Sequence, residues 1–324
     1  MKLLIQISII LLFFQYNLVY SQDLVQLESN TYFFDKGVED LGSESAYNID
    51  RRDDLNTNIN KRKIVRNSFI ITTPIVTFIF GSKIWDWGGS DHWKWADEGW
   101  FEHDTDSGGA DKIGHFFSHY TMTRIFYSIF NYTDKDTSME WFYTIILTCT
   151  VGALIEVGDA YSGKYGFSYQ DLIADYIGIA IASFLEIFPT IDKCIGFSVE
   201  YQPTKGFREY NDKYILNCVS DYSGWKYMMN FKLSALKHLG LEGYDFLRYI
   251  MFDLGYYTKG YTKYDKHENL TDHRRYWFMG ISVNMMEVVS DFHSDKGSTF
   301  HWLTQQPFKY YHVPVGYKYN NTFD

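Results

Sequence analysis

Tyr169–Tyr201, YQDLIADYIGIAIASFLEIFPTIDKCIGFSVEY, changes its hydrophobic period partway along. Up to Phe188 small and large apolar side chains recur at helical spacing, and Pro189 ends the pattern. From Cys194 onward apolar and polar residues alternate, which suits a pleated strand with two unlike faces. The chain therefore passes from helices to strands at Pro189, and the segments on either side keep to that division.

Upstream, the spacing predicts helices over about 111–130, 139–161 and 169–188, preceded by an apolar stretch from Ser68, SFIITTPIVTFIFG, that Pro74 interrupts. Downstream, IGFSVEY, DKYILNCV, WKYMMNFKL, LRYIMFDLGYYTKGY and YWFMGISVNMM alternate and are separated by Gly, Asp, Asn and Ser clusters. The expected class is α+β: a bundle of about four apolar helices followed by an antiparallel β-sheet or small β-barrel-like region. The expected organisation is a signal peptide over 1–21, a polar flexible arm over 22–62, a helical bundle over 63–190, a sheet over 191–290 and a C-terminal segment over 291–324.

The opening MKLLIQISIILLFFQYNLVYSQ has a Lys, an apolar run and small residues at Val19 and Ser21, the pattern of a secretory signal cleaved before Gln22. No Cys lies near that cut, so the lipid-attachment pattern of bacterial envelope proteins is not expected there. The three cysteines are widely spaced; Cys194 and Cys218 are close enough to a common strand region to pair, and buried free thiols are the alternative. A net charge of −10 without a Lys/Arg cluster argues against nucleic acid as a partner. Aromatic residues make up 19% of the chain, with five Trp between Trp85 and Trp100, an enrichment typical of membrane–water interfaces. The expected partners are membrane lipid or an envelope protein, in the periplasm or at the outer membrane.

The helices carry ionisable residues where a plain core would carry Leu or Ala. Asp111, His115, Ser118 and Met122 share one stripe of the first helix, Glu156 continues the Ile145, Cys149 and Gly152 stripe of the second, and Asp159 lies one turn on. On the third, Asp171 and Asp175 line up with Gly178 and Ala182, and Ala174, Gly178 and Ala182 let a neighbouring backbone approach closely. If these faces meet, His115, Glu156, Asp159, Asp171 and Asp175 form one cluster. Buried carboxylates then need a cation, a proton or a basic partner.

Two readings follow. In one, the cluster is a structural network, with Ser168 and Asp111 as helix caps. In the other, His115, Asp111 and Glu156 do acid/base chemistry and His115, Glu156, Asp159, Asp171 and Asp175 hold a divalent cation. His119 reads as an ordinary partly buried histidine, and HDTDSGG is a weak match to a calcium loop because position twelve is His115. Nucleophile-elbow, phosphate-loop, HExxH and CxxC patterns are absent.

The ordered motifs GWFEHDTDSGGADKIGHFFSHY, IEVGDAYSGKYGFSYQDLIADYIG, DYSGWKYMMNFKL, LRYIMFDLGYYTKGY and GISVN resemble the YfiM-like family of bacterial envelope proteins, domain of unknown function 2279, over roughly Trp85 to Val288. DKIGH and the later carboxylate helix are also similar to part of the VanZ-like family of membrane proteins. That similarity points to Asp111, Lys112, His115, Glu156 and Asp171, while Asp175 and the long sheet region depart from it. The YfiM-like resemblance implies an envelope location and no particular reaction.

Overall fold

The computed structural model describes residues 44–134, 138–210, 215–235, 245–267, 270, 272–296 and 298–322. The expected signal peptide lies outside the described residues. The chain forms two compact units, Met1–Asn67 and Ser68–Asp324. In the first, the described residues belong to helix α1, Glu44–Ile84. The expected flexible arm thus gives way to helix from Glu44, because no Gly or Pro occurs from Glu44 to Thr73 to stop propagation out of the apolar part. Pro74 sits inside the helix and costs one backbone hydrogen bond without ending it.

In the second unit, the end of α1 is followed by β1 (Trp95–Ala96), α2 (Ala110–Thr133), α3 (Glu140–Ala160), β2 (Phe167–Ser168) and α4 (Tyr169–Ile187). The bounds of α2, α3 and α4 agree with the sequence periods to within a few residues. Ser168 caps α4 by accepting from the Asp171 amide, as its position suggested. Asp111 does not cap α2: the cap position is Gly109, in the left-handed region at φ 85, and the Ser107 hydroxyl accepts the Asp111 amide at 3.3 Å.

Helix α2 is central. Gly178 of α4 lies so close to it that a Cβ there would stand 2.3 Å from the Phe116 carbonyl oxygen, which accounts for the small-residue ladder on α4. On its other side α2 meets the sheet through Phe116, Phe117 and Tyr120, whose rings contact Phe197 and Tyr227 at centroid separations of 5.2 to 6.4 Å.

After the short α5 (Pro189–Asp192) come β3 (Ile195–Tyr201), α6 (Lys205–Tyr210), β4 (Trp225–Lys232), β5 (Ile250–Lys259), α7 (Lys263–His267), β6 (Arg274–Val283), α8 (Met285–Asp291), α9 (Thr299–Tyr310) and β7 (Gly316–Thr322). The sheet is antiparallel in the order β3-β4-β5-β6-β7, open, with β3 and β7 at its edges. It runs past residue 290, because the polar GYKYNNT pairs with β6 from Tyr276↔Thr322 to Ser282↔Gly316. The described part of DKYILNCV is not a strand: Ile215–Ser220 is a 3₁₀ turn, where Cys218 O accepts from the Asp221 amide and the Trp225 indole. Cys194 and Cys218 do not pair, and all three thiols are free.

Candidate functional site

The site lies where four helix ends meet. α1 and α3 both finish there, and one ring packs against both: a Cβ on either Gly81 or Gly158 would stand 2.3 Å from Trp87. The segment after α1 is laced to the end of α3, with the Gly88 and Ser90 amides donating to Tyr161 O at 3.1 Å and the Lys94 amide to Ala160 O at 2.9 Å. Parallel pairing of β1 with β2, Trp95↔Phe167 and Ala96↔Ser168, carries this seam to the start of α4. Trp93 stacks on Phe167 at 5.3 Å and meets Tyr161 at 5.8 Å, so an aromatic cluster marks this end of the bundle.

Beneath the seam the first turns of α2 and α4 present carboxylates. Lys112, 3% exposed, binds Asp171 Oδ1 at 2.7 Å and Asp111 Oδ2 at 3.2 Å and pairs closely with Glu98 from the preceding loop. One ammonium thus answers three acids from three segments. Burial, with Asp111 and Asp171 nearby, holds the Glu98 proton on up to about 8, against the pull of Lys112. Asp111 Oδ1 also accepts from the Tyr222 hydroxyl at 2.7 Å, a group brought in just before β4.

One turn deeper, His115 is one-fifth exposed, so solvent reaches it. Its Nδ1 lies 3.0 Å from Asp175 Oδ1 and its Nε2 3.9 Å from Asp111 Oδ1. His119, 1% exposed, brings its Nδ1 to 2.6 Å from the same Asp175 oxygen. The histidines are four residues apart, so they share a helix face. His119 Nε2 and Asp175 Oδ2 have no hydrogen-bond partner, and both border Gly152 of α3, where a Cβ would lie 3.0 and 2.9 Å from them.

All the acids expected from sequence are in this region, with different partners. Glu156 is buried, accepts the Ser168 amide at 2.9 Å through Oε2 and leaves Oε1 unpartnered. Asp159 accepts from the Trp87 indole at 2.7 Å. Two groups offer ligand atoms within 4.8 Å of one another: His115, His119 and Asp175, and Asp111, His115 and Asp171. Among the described residues Glu156 and Asp159 join neither group; Ser168 and Trp87 engage one oxygen of each. The polar stripe of α2 also differs from the expected one: Ser118 is exposed, and Lys112, His119, Thr123, Arg124 and Thr133 are the buried polar positions.

Sequence reasoning missed His119, Glu98 and Tyr222. The four-residue spacing from His115 was a usable signal for His119. Glu98 and Tyr222 arrive from loops whose position no periodicity encodes.

Chemically, the arrangement suits proton transfer. Asp175 orients the His115 ring from one side, and Asp111 Oδ1 stands 3.9 Å from Nε2 on the other, so a carboxylate is at hand on each side of the ring. No curated protein and no solved structure matches this chain. The YfiM-like part of the resemblance is met by a family match, which supports an envelope or periplasmic location; the VanZ-like part remains an expectation from motifs. Residues 97–187, which hold Glu98 and the whole His/carboxylate cluster of α2 to α4, match the family described as predicted periplasmic lipoprotein (DUF2279).

Proposed function

We propose that this envelope protein is an acid/base enzyme working at a membrane–water boundary on an envelope lipid or a lipid-linked glycan. The observation that carries the reading is the position of a solvent-reached imidazole, His115 held by Asp175, at the bundle end where the two long apolar helices stop in a shared aromatic seam. Ile59–Ile84 and Glu140–Ala160 are long and apolar enough to cross a bilayer, with rises of about 39 and 31 Å against a hydrocarbon core of about 30 Å. Ile71, Ile75, Phe78, Phe142 and Ile146 are exposed along them. Trp and Tyr collect at headgroup level in membrane proteins, and the aromatic seam beside this end of the bundle supports a site near the headgroups.

In the reaction, a water or hydroxyl attacks an ester or phosphoester centre and its proton passes to Asp111 as the new bond forms. His115, which despite burial Asp175 keeps protonated well above the ordinary imidazole range, donates its Nε2 proton to the leaving oxygen as that bond breaks. Asp111 and Asp175 keep the ring aligned.

A structural reading also has an observation behind it. Lys112 ties the Glu98 loop, α2 and α4 together, as a buried cross-link would. The two separate when the full chain is reconstituted in vesicles with envelope lipids and lipid-linked glycan, and product formation is followed by mass spectrometry. Loss of turnover in His115→Ala with melting unchanged supports the enzyme; absence of product, or loss in proportion to stability, returns the cluster to structure.

A further inference from the structure

We infer that His115, His119 and Asp175 form a binding site for a first-row divalent metal ion of the zinc class, with Gly152 packed beside it. This deepens the enzymatic reading above and rests on the same site.

The donor set comes first. Two imidazoles four residues apart on α2 face one carboxylate from α4, and one ligand atom from each lies within 4.8 Å of the others. Bonds of about 2.0–2.2 Å from a central ion allow ligand atoms to stand up to about 4.4 Å apart, so small side-chain adjustments bring the three to a common ion. Two histidines with one carboxylate suit zinc and other imidazole-favouring ions, and leave coordination positions for water or substrate.

A second observation points to a ligand independently of that spacing. His119 Nε2 and Asp175 Oδ2 belong to side chains 1% and 0% exposed, and neither has a partner. Leaving such groups buried and unsatisfied is destabilising, more so for a charged one. Both atoms lie within 3.0 Å of where a Cβ on Gly152 would stand, so both meet α3 at the same point and a side chain at 152 would crowd them. Gly152 is not at a turn or at positive φ, so backbone conformation does not call for glycine there. Closeness to the two polar atoms does.

The remaining contacts act as support for the ligands. His119 Nδ1 already lies near His115 O at 3.3 Å and Asp175 Oδ1 at 2.6 Å, which holds the ring with Nε2 toward Gly152. Asp111 pairs with Lys112 and Tyr222 and stands 3.9 Å from His115 Nε2, beside the triad rather than within it. An ion bound here would supply a Lewis acid and an activated water; with one His115 nitrogen on the ion, Asp111 beside the ring would take the proton.

The test uses the full chain, purified in detergent without chelator, with elemental analysis and then cobalt(II) exchange read by visible absorption. Zinc-class metal at about one per chain and a cobalt d–d band of imidazole ligation are expected. His119→Gln and Asp175→Asn are expected to lose both signals. Gly152→Ala, which removes no ligand, is expected to weaken affinity by about 10–100-fold. Asp91→Asn, an exposed carboxylate outside the bundle, is expected to retain both. The cobalt band is read on the wild-type protein, so a variant that fails to fold does not remove the test. Absence of metal and of the band in wild type, or retention of both in the two ligand variants, overturns the inference. Metal without turnover sinks the enzymatic reading alone; turnover in metal-free protein that chelator leaves untouched sinks the metal site alone.

Discussion

Lys112 is the residue on which most of the local charge turns. It is almost fully buried, and Glu98, Asp111 and Asp171 all direct an oxygen at it. Lys112→Met should therefore cost about 3–5 kcal/mol in urea unfolding, the range for stranding buried charge, and more than any exposed lysine change. Glu98 gives the same cluster a pH dependence. Its carboxyl holds a proton up to about 8 in the fold against 4.5 in the unfolded chain, so between those values the unfolded state releases a proton that the folded state keeps. The contribution is fully present below 4.5 and lost as pH rises through about 8. The melting temperature should fall across that window, and Glu98→Gln should flatten the fall; a wild-type profile no steeper than the variant's would contradict the assignment.

At the scale of elements, glycines decide how closely helices approach. Trp87 fills the contact with Gly81 and Gly158 and hydrogen-bonds Asp159, so Trp87→Ala opens a cavity and strands a carboxylate together. A loss of about 3–5 kcal/mol is expected by chemical denaturation. Gly178 faces backbone rather than a yielding side chain, with the Phe116 carbonyl 2.3 Å from where a Cβ would be. Gly178→Val should cost about 1–3 kcal/mol or more and disturb near-ultraviolet dichroism from Tyr120, because α2 and α4 must separate. Helices α2, α3 and α4 were legible because their caps and breakers are local: Ser168 before α4, Pro189 after it. Helix α1 begins well before the apolar stretch from Ser68, because its polar residues carry no strong period yet include no Gly or Pro to stop it.

For the whole molecule, the exposed apolar side chains of α1 set the expectation of membrane residence. Ile75 and Phe78 are more than half exposed, so Asp at both should leave the fold within about 0.5 kcal/mol per site. The same double change should release the protein from membranes in an alkaline wash that retains the wild type. Retention of the variant would count against bilayer contact through α1. The sheet adds its own lesson. β7 reads as polar coil in GYKYNNT, and only its pairing with β6 makes it a strand, since a strand's hydrogen bonds are supplied by a neighbour remote in sequence.

The sequence alone determined the helix-to-strand change at Pro189, the Ser168 cap, the close-approach face of Ala174, Gly178 and Ala182, and the burial of Glu156, because each depends on a period or a neighbour within a few residues. Tertiary structure alone decided which acids Lys112 answers, that Asp175 sits between two histidines, that Tyr222 reaches Asp111 across 111 positions, and that Trp87 and Ser168 engage Asp159 and Glu156. Those pairings arise where segments from separate elements meet, and a linear pattern of side chains carries no record of that meeting.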